Sequence, residues 1–308
     1  MAPILREVLG FLRRDELMRC ARTSREVYRL AQDLNRWCAV RDTPDPRWWS
    51  ELPAGSRVLV DGVVEGKVRV RGSHILLVGT ARGQLTGSLV CAGGGCSVVV
   101  CNLFVRKVLA TRWARCCVHS CTVSNPYGNG IQFSSAHGCV QYCRIHGCSG
   151  AGVLVQDSPR ASLLCNSVDR CRTGVSCSGA GDLALHWNTL RDTGCAVEAS
   201  RARVHLAHNR ATGQTALQLR GCQGTVENNT LSGAVRFSGH TSAVVRHNSM
   251  PHSTVSAGCG STPIVYQNLV GRVRADRWAH PVVMWNTMTR PPGGGLSGIE
   301  HMNQAIHM

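Results

Sequence analysis

The residues best suited to chemistry in this sequence are its 17 cysteines. Cys117, Cys121, Cys139 and Cys143 form two identically spaced pairs, and four thiolates could complete a tetrahedral zinc site. Two members of one pair, four residues apart, converge only where the chain turns tightly. The alternatives are a disulfide and a column of reduced thiols that pack as small hydrophobes. We expect the column of thiols, with no metal and no cofactor.

Carboxylates are the second kind of residue that could do chemistry. Carbohydrate cleavage needs two converging carboxylates, or carboxylates that hold calcium beside an arginine. Gly239-His240 is similar to part of a glycosidase motif, but the partners of that motif are missing. The few acids of the central region fall at different positions of the repeat described below, so we expect no enzyme activity: they are Asp157, Asp169, Asp182, Asp192, Glu198, Glu227 and Asp276.

A repeated phrase must position all of these side chains. Its form is aliphatic, two variable residues, Asn, polar, apolar, and it recurs about every 20 residues, which indicates a solenoid. Apolar residues stand both three before and two after the Asn, so a strand must bend at or beside it. Stacked coils then place the Asn side chains in a hydrogen-bonded ladder. The predicted ladder is Asn102, Asn166, Asn188, Asn209, Asn229, Asn248, Asn268 and Asn286, with Cys121 and Cys143 in the same position of two coils.

Large polar and aromatic residues stand at or next to the position that precedes the Asn. If they face outward at the bend, they form a ridge suited to a protein partner. The alternative is that the rings only shield the edge of the turn. The residues of this predicted ridge are Tyr142, Trp187, His208, His247, Tyr266 and Trp285.

Composition limits the setting in which the protein works. There are 34 basic and 18 acidic residues, and all the basic ones except Lys67 and Lys107 are Arg. The positive charge is spread along the chain, so we expect no dedicated nucleic-acid site. No apolar run reaches membrane-spanning length, and residues 1–14 lack the apolar core of a signal peptide. We therefore expect an intracellular protein, in the cytoplasm or nucleus.

Two parts of the sequence resemble known families. The repeats resemble the right-handed parallel β-helix of pectin-degrading enzymes, phage tailspikes and a group of F-box proteins. Residues 15–37 resemble the second half of an F-box in the order of Asp15, Cys20-Ala-Arg22, Arg29-Leu-Ala31 and Trp37, although Val27 replaces the usual Trp. This resemblance implies three short helices that bind a Skp1-type adaptor, with Leu5, Leu9, Leu12, Leu17 and Tyr28 as contacts.

The predicted organisation has four parts. Residues 1–40 form the helical F-box-like segment, 41–56 a Pro-rich linker, 57–290 a right-handed parallel β-helix of about ten or eleven coils, and 291–308 a tail or loose cap. The resemblance implies a substrate receptor of a Skp1-cullin ubiquitin ligase, whose β-helix binds an unknown protein target. The alternatives are a structural trimer of the virus capsid or tailspike kind, which would act in the virion, and a β-helix that binds or cleaves carbohydrate.

Overall fold

The computed structural model describes residues 37–289 and 304–305. Within residues 37–289 the only helix is α1 (Pro46–Ser50), and every other regular element is a strand. Residues 1–36 of the predicted F-box-like segment (residues 1–40) lie outside the described residues, and so do its predicted adaptor contacts Leu5, Leu9, Leu12, Leu17 and Tyr28. The last four residues of the predicted segment form a strand (Trp37–Val40) and not a helix. No helix in the described part of the chain is long and apolar enough to cross a membrane.

Thirty strands account for most of the described chain. In chain order they are β1 (Trp37–Val40), β2 (Arg57–Val60), β3 (Val63–Val64), β4 (Val68–Val70), β5 (Ile75–Gly79), β6 (Gln84–Ala92), β7 (Ser97–Cys101), β8 (Phe104–Thr111), β9 (Arg115–His119), β10 (Thr122–Val123), β11 (Ile131–Ser134), β12 (His137–Gln141), β13 (Arg144–His146), β14 (Ala151–Gln156), β15 (Arg160–Leu164), β16 (Ser167–Asp169), β17 (Thr173–Ser178), β18 (Asp182–His186), β19 (Thr189–Ser200), β20 (Arg203–Ala207), β21 (Arg210–Arg220), β22 (Gln223–Glu227), β23 (Thr230–Ser238), β24 (Ser242–Arg246), β25 (Ser249–Ala257), β26 (Ile264–Tyr266), β27 (Leu269–Ala275), β28 (Val282–Met284), β29 (Thr287–Met288) and β30 (Gln304–Ala305).

One strand of each coil belongs to a single parallel sheet, which we call sheet 1. Its order is β1-β2-β5-β7-β9-β12-β15-β18-β20-β22-β24-β26-β28. The fold is therefore mainly β, a right-handed parallel β-solenoid of about 13 turns, one for each of these 13 strands in the described residues. The prediction of ten or eleven coils was too low, because the coils of β1, β2 and β5 lack the Asn phrase. Sheet pairing also begins at Trp37, before the predicted start of the β-helix at residue 57.

The remaining strands stack as the other faces of the coil. Some coils have two short strands there, as in the pairs β10 with β11 and β13 with β14. In β6, in β8 and from β19 to β27 one long strand takes their place, and register shifts mark the bend inside several of these strands, for example between Leu190 and Thr193. All pairings are parallel, so each residue lies directly above its equivalent in the previous coil, about 4.8 Å away.

Alternation along each strand sends every second side chain into the coil. In β24, Ala243 and Val245 are buried, whereas Ser242 is exposed and Val244 and Arg246 are partly exposed. The interior is a stack of Val, Leu, Ile, Ala and Cys side chains in one continuous apolar core. Helix α1 joins this core through Trp49, which is 1% exposed. Its first turn is capped by the Asp45 carboxylate, which accepts a hydrogen bond from the Arg47 N–H at 2.7 Å.

Candidate interaction surface

A ladder of buried Asn side chains fixes one corner of the coil. Each Asn Oδ1 accepts from the backbone N–H at the same position of the preceding coil at 2.8–3.0 Å. Each Nδ2 donates to a backbone carbonyl of the preceding coil at 2.8–3.0 Å. The bend therefore leaves its inward polar groups satisfied without water. The members of the observed ladder are Asn166, Asn188, Asn209, Asn229, Asn248, Asn268 and Asn286.

Two cysteines continue this column where the Asn residues stop. The Cys143 N–H donates to Asn166 Oδ1 at 2.9 Å, and its thiol donates to the Val118 carbonyl at 3.4 Å. The Cys121 N–H in turn donates to Cys143 Sγ at 3.4 Å. A thiol thus makes the same two contacts as the amide, but with longer bonds.

Asn102 does not belong to the ladder, which corrects the prediction by one residue. Cys101 is paired with His119, so Asn102 aligns with Ser120 and Leu103 aligns with Cys121. The ladder position of this coil is therefore Leu103, which is 1% exposed. Asn102 instead has φ +52°, a left-handed conformation that Asn tolerates better than most residues.

The residue before each ladder position makes the bend and points outward. Its φ is positive and lies between 50° and 60° in ten consecutive coils, namely at Asn102, Ser120, Tyr142, Cys165, Trp187, His208, Asn228, His247, Gln267 and Trp285. The left-handed conformation turns the chain away from its strand direction, so the next side chain enters the coil. The side chain at the bend is left in solvent.

The bend holds five of the six predicted ridge residues. Tyr142 is 56% exposed, Trp187 59% and Trp285 53%, and His208 and His247 are also exposed. The sixth, Tyr266, stands one residue earlier in its coil and is partly exposed. The structure thus brings all six to one corner of the rod.

Contacts between neighbouring coils hold several of these rings in place. Trp187 and His208 stack at a centroid distance of 4.2 Å with only 5° between their planes. His247 meets Tyr266 edge-on at 6.3 Å. Beside them Arg246 is bonded to the Glu227 carboxylate at 2.6 Å and donates to the Tyr266 hydroxyl at 3.3 Å. These contacts therefore hold the side chains in the middle and at the end of the ridge in defined positions.

The four cysteines considered for zinc do not converge. Cys121 and Cys143 lie in the ladder column and are each 2% exposed, whereas Cys117 and Cys139 lie on the outer face of sheet 1. Each pair is interrupted by a residue with positive φ, Ser120 in one coil and Tyr142 in the next, which breaks the strand alternation. Cys117 and Cys139 therefore face outward, whereas Cys121 and Cys143 face the core. The residues that the structure describes hold no group of three or more His, Cys, Asp or Glu suited to a metal ion.

The thiol pairs have different acid–base properties. Burial is the main cause that raises the pKa of Cys121, and its hydrogen bond with Cys143 adds to this. The pKa of Cys117 is raised mainly by the neighbouring Cys139 thiol. The same contact lowers the pKa of Cys139 to about 7, against the effect of burial, and Gln141 lowers it further. The two thiols therefore change each other's pKa in opposite directions.

Sequence reasoning missed a second outward site, an open depression of about 470 Å³ on sheet 1. Arg115, His137 and Arg160 from successive coils line it beside Cys117 and Cys139. The sequence contains the signal for this site, because Arg115, His137 and Arg160 stand two residues before Cys117, Cys139 and Ser162, respectively. The spacing among the cysteines alone does not reveal it.

The acids are not paired by the stacking. Asp182 lies between Arg160 and Arg203, Glu198 between Ser176 and Gln218, and Glu227 between Ala207 and Arg246. Asp169 lies between His146 and Arg191, and it is buried with its carboxylate 3.3 Å from Arg170 Nε. These four strand acids therefore have no carboxylate neighbour in the adjacent coils.

One comparison with known proteins supports this fold. The family described as "Right handed beta helix region" matches residues 90–231. A search of curated proteins found no match. Among solved structures, one similar chain is "Structure of PL6 family alginate lyase AlyGC", with 11% identity and a TM-score of 0.32. The match covers 88% of this chain and 53% of the lyase chain, so the chain spans about half the length of that protein. The matched family and the strand pairing both identify a right-handed parallel β-helix.

Proposed function

We propose that this protein is a non-catalytic scaffold whose β-helix binds a protein target through the ridge. The observation that carries the proposal is the line of exposed rings at Tyr142, Trp187, His208, His247 and Trp285, each at the residue before the ladder column. A row of exposed rings on one edge is typical of a recognition surface. Single apolar residues scattered over a surface are normal, but contiguous ones mark interaction sites.

Rigidity supports binding through this edge. The residue after Trp187 is Asn188, whose side-chain Nδ2 donates to the Leu163 carbonyl of the preceding coil and to Asn209 Oδ1 of the following coil. The backbone that holds each ring is therefore fixed before a partner arrives, and binding loses little conformational entropy. Buried Trp and Tyr side chains commonly contribute 2 kcal/mol or more each at protein interfaces, as an order of magnitude.

The non-catalytic part of the proposal rests on the separation of the acids. The carboxylates of Asp169, Asp182, Glu198 and Glu227 have polar, apolar or basic neighbours in the adjacent coils, so none of them forms the pair that glycoside cleavage requires. Incubation with alginate and with polygalacturonate tests this directly. We expect no increase in ultraviolet absorbance from unsaturated ends and no new reducing ends, and an increase abolished by a single acid-to-amide substitution would refute it.

The finer part of the proposal is a receptor role in a Skp1-cullin ubiquitin ligase. Its support is the resemblance of residues 15–37 to an F-box, in which Leu17 and Tyr28 would contact the adaptor. Gel filtration of the full chain with a purified Skp1-type adaptor tests it. We expect co-elution that is lost in a Leu17→Arg/Tyr28→Ala variant, whereas a wild-type chain that elutes alone contradicts the receptor role. In this role the protein acts inside the cell.

The ridge is tested by comparing a tryptophan that lies in it with one that lies outside it. Trp187 and Trp113 are both 59% exposed, and both have positive φ, +60° and +64°. Trp113 lies at another corner of the coil, between β8 and β9. Quantitative affinity purification should show a target reduced more than tenfold by Trp187→Ala/His208→Ala and retained by Trp113→Ala. Equal recovery with wild type and both variants would contradict binding at the ridge.

The structural alternative makes a separate prediction about assembly. A trimeric rod would give a native mass three times that of the chain at low protein concentration. We expect a monomer, because the ridge is then free for a target. A stable trimer whose dissociation requires denaturant would instead support a structural protein.

A further inference from the structure

The thiols of Cys117 and Cys139 lie side by side on the outer face of sheet 1. The two residues are register partners in the parallel strands β9 and β12, and both are partly exposed. Each thiol is close enough to change the pKa of the other. Register partners in adjacent strands are separated by about 4.8 Å, which lies within the range of Cα distances that a disulfide spans.

The other cysteine pairs of the stack are closed to reagents. Cys121 and Cys143 are each 2% exposed, and Cys148 and Cys171 are 2% and 3% exposed. Cys91 lies 3.9 Å from Cys116 in the core, with exposures of 0% and 2%. Among the described residues, Cys117 and Cys139 therefore form the stacked pair that solvent and small solutes can reach.

Two arginines and a histidine line the depression that holds this pair. Arg115, His137 and Arg160 stand in the next outward column of three consecutive coils and line the same depression. The nearest acid in that column is Asp182, one coil further, and its carboxylate faces Arg203 at 4.0 Å. Cationic neighbours favour a thiolate over a thiol, and they attract anionic reagents.

We propose that Cys117 and Cys139 form a redox-active dithiol that reacts with small anionic disulfides. The Cys139 thiolate attacks one sulfur of the reagent, which forms a mixed disulfide and releases one thiolate. The Cys117 thiol, after losing its proton to that thiolate or to water, attacks Cys139 Sγ and expels the second thiolate. In total the two protein thiols are oxidised to one disulfide, and the reagent disulfide is reduced to two thiols.

The lowered pKa of Cys139, about 7, adds to the case for Cys139 as the attacking residue. An attacking thiol reacts fastest when its pKa is close to the ambient pH, because thiolate is then abundant and still nucleophilic. The disulfide would join directly opposed residues on the face of a sheet, so no coil must open to form it.

The test uses the full chain in a Cys38→Ser/Cys259→Ser background, which removes the two exposed thiols among the described residues. The protein is incubated near neutral pH with glutathione disulfide and followed by intact mass and peptide mapping. We expect a transient glutathione adduct on Cys139, and then a product two hydrogens lighter that links Cys117 to Cys139. A product that links other cysteines, or no reaction under conditions that oxidise a free dithiol, would overturn the proposal.

Single substitutions separate the two roles. Cys117→Ser should stop the reaction at the mixed disulfide on Cys139, whereas Cys139→Ser should slow adduct formation at least tenfold. Serine already occupies the equivalent position of the next coil, at Ser162, so both variants should fold. Equal adduct formation in the two variants would contradict the assignment of Cys139 as the attacking thiol.

The charge of the reagent tests the role of the arginines. Cystamine is a cationic disulfide, and we expect it to react several-fold more slowly than glutathione disulfide. The Arg115→Gln/Arg160→Gln variant should remove most of this difference. If cystamine reacts as fast as glutathione disulfide with the unmodified arginines, selection for anionic disulfides is refuted.

Discussion

Removal of one Asn from the middle of the ladder should destabilise the whole rod. Asn229 is 2% exposed, and its side chain makes five hydrogen bonds. Its Oδ1 accepts from the Asn209 N–H at 2.8 Å and from Asn209 Nδ2 at 3.0 Å. Its Nδ2 donates to the carbonyls of Leu206 and Glu227, each at 2.9 Å, and to Asn248 Oδ1 at 3.0 Å.

The Asn229→Ala substitution deprives the buried Asn209 N–H of its acceptor. An unsatisfied buried donor costs about 1–3 kcal/mol, and each further lost bond about 0.5–1.5 kcal/mol net. Because bonds in one network are not additive, we expect a loss of about 4 kcal/mol in the free energy of unfolding. Domains have total stabilities of about 5–15 kcal/mol, so a loss of this size is readily measured.

Guanidinium unfolding of the full chain, followed by circular dichroism, gives the change in free energy. Hydrogen exchange localises it, since the Asn209 amide should exchange faster in the variant. The matched control is Asn228→Gly, which removes an exposed Asn from the bend, where φ is +55° and Gly is unstrained. We expect the control to change stability by no more than about 0.5 kcal/mol. A loss below about 1 kcal/mol for Asn229→Ala, or one equal to the control, would refute the structural importance of the ladder.

Three further substitutions or titrations test other parts of the structure. Cys143→Asn should raise the free energy of unfolding by about 1 kcal/mol, measured by guanidinium unfolding, because an amide replaces the long thiol bonds to Val118 and Cys121. Phe237→Ala should cost about 3–5 kcal/mol in the same assay, because this core side chain is 1% exposed, whereas Arg236→Ala on the outer side of β23 should change stability little. The rate at which iodoacetamide alkylates Cys139 should rise with pH and reach half its maximum near pH 7, since its pKa is lowered to about 7 and only the thiolate reacts; a Cys117→Ala variant should shift this midpoint upward.

The periodic part of the fold could be predicted from the sequence, because stacking forces equivalent positions into one environment. The apolar columns and the Asn phrase identify the coil, the bend and the ladder from Asn166 to Asn286. The number of coils could not be predicted in the same way. The coils at β1, β2 and β5 pack by the same apolar alternation but contain no Asn to count.

Asn102 shows why the register failed at one coil. Asn is favoured in two adjacent positions of this bend, in the ladder for its amide and at the bend for its tolerance of positive φ. Val99 and Phe104 are apolar, so the pattern fitted either register. Only the pairing of Cys101 with His119 decides between them, and it places Val100 and Val105, rather than Val99 and Phe104, inside the coil.

The position of the ridge could be predicted from the sequence, but the arrangement of its side chains could not. The exposed ridge followed from the column before the Asn. The stack of Trp187 on His208 depends on side-chain rotamers, which the aligned repeats of the sequence do not specify. The Cys117–Cys139 dithiol was hidden among 17 cysteines, because sequence spacing does not tell which thiols face outward.

The bend position separates the demands of folding from those of recognition. Ten consecutive coils place Asn, Ser, Tyr, Cys, Trp, His or Gln there with nearly the same φ, so the backbone accepts very different side chains. The adjacent ladder residue maintains the coil, and the residue at the bend is free to diverge. Each substitution alters one element of a linear array with a pitch of about 4.8 Å. A protein built in this way can acquire a new binding specificity coil by coil while its core stays unchanged.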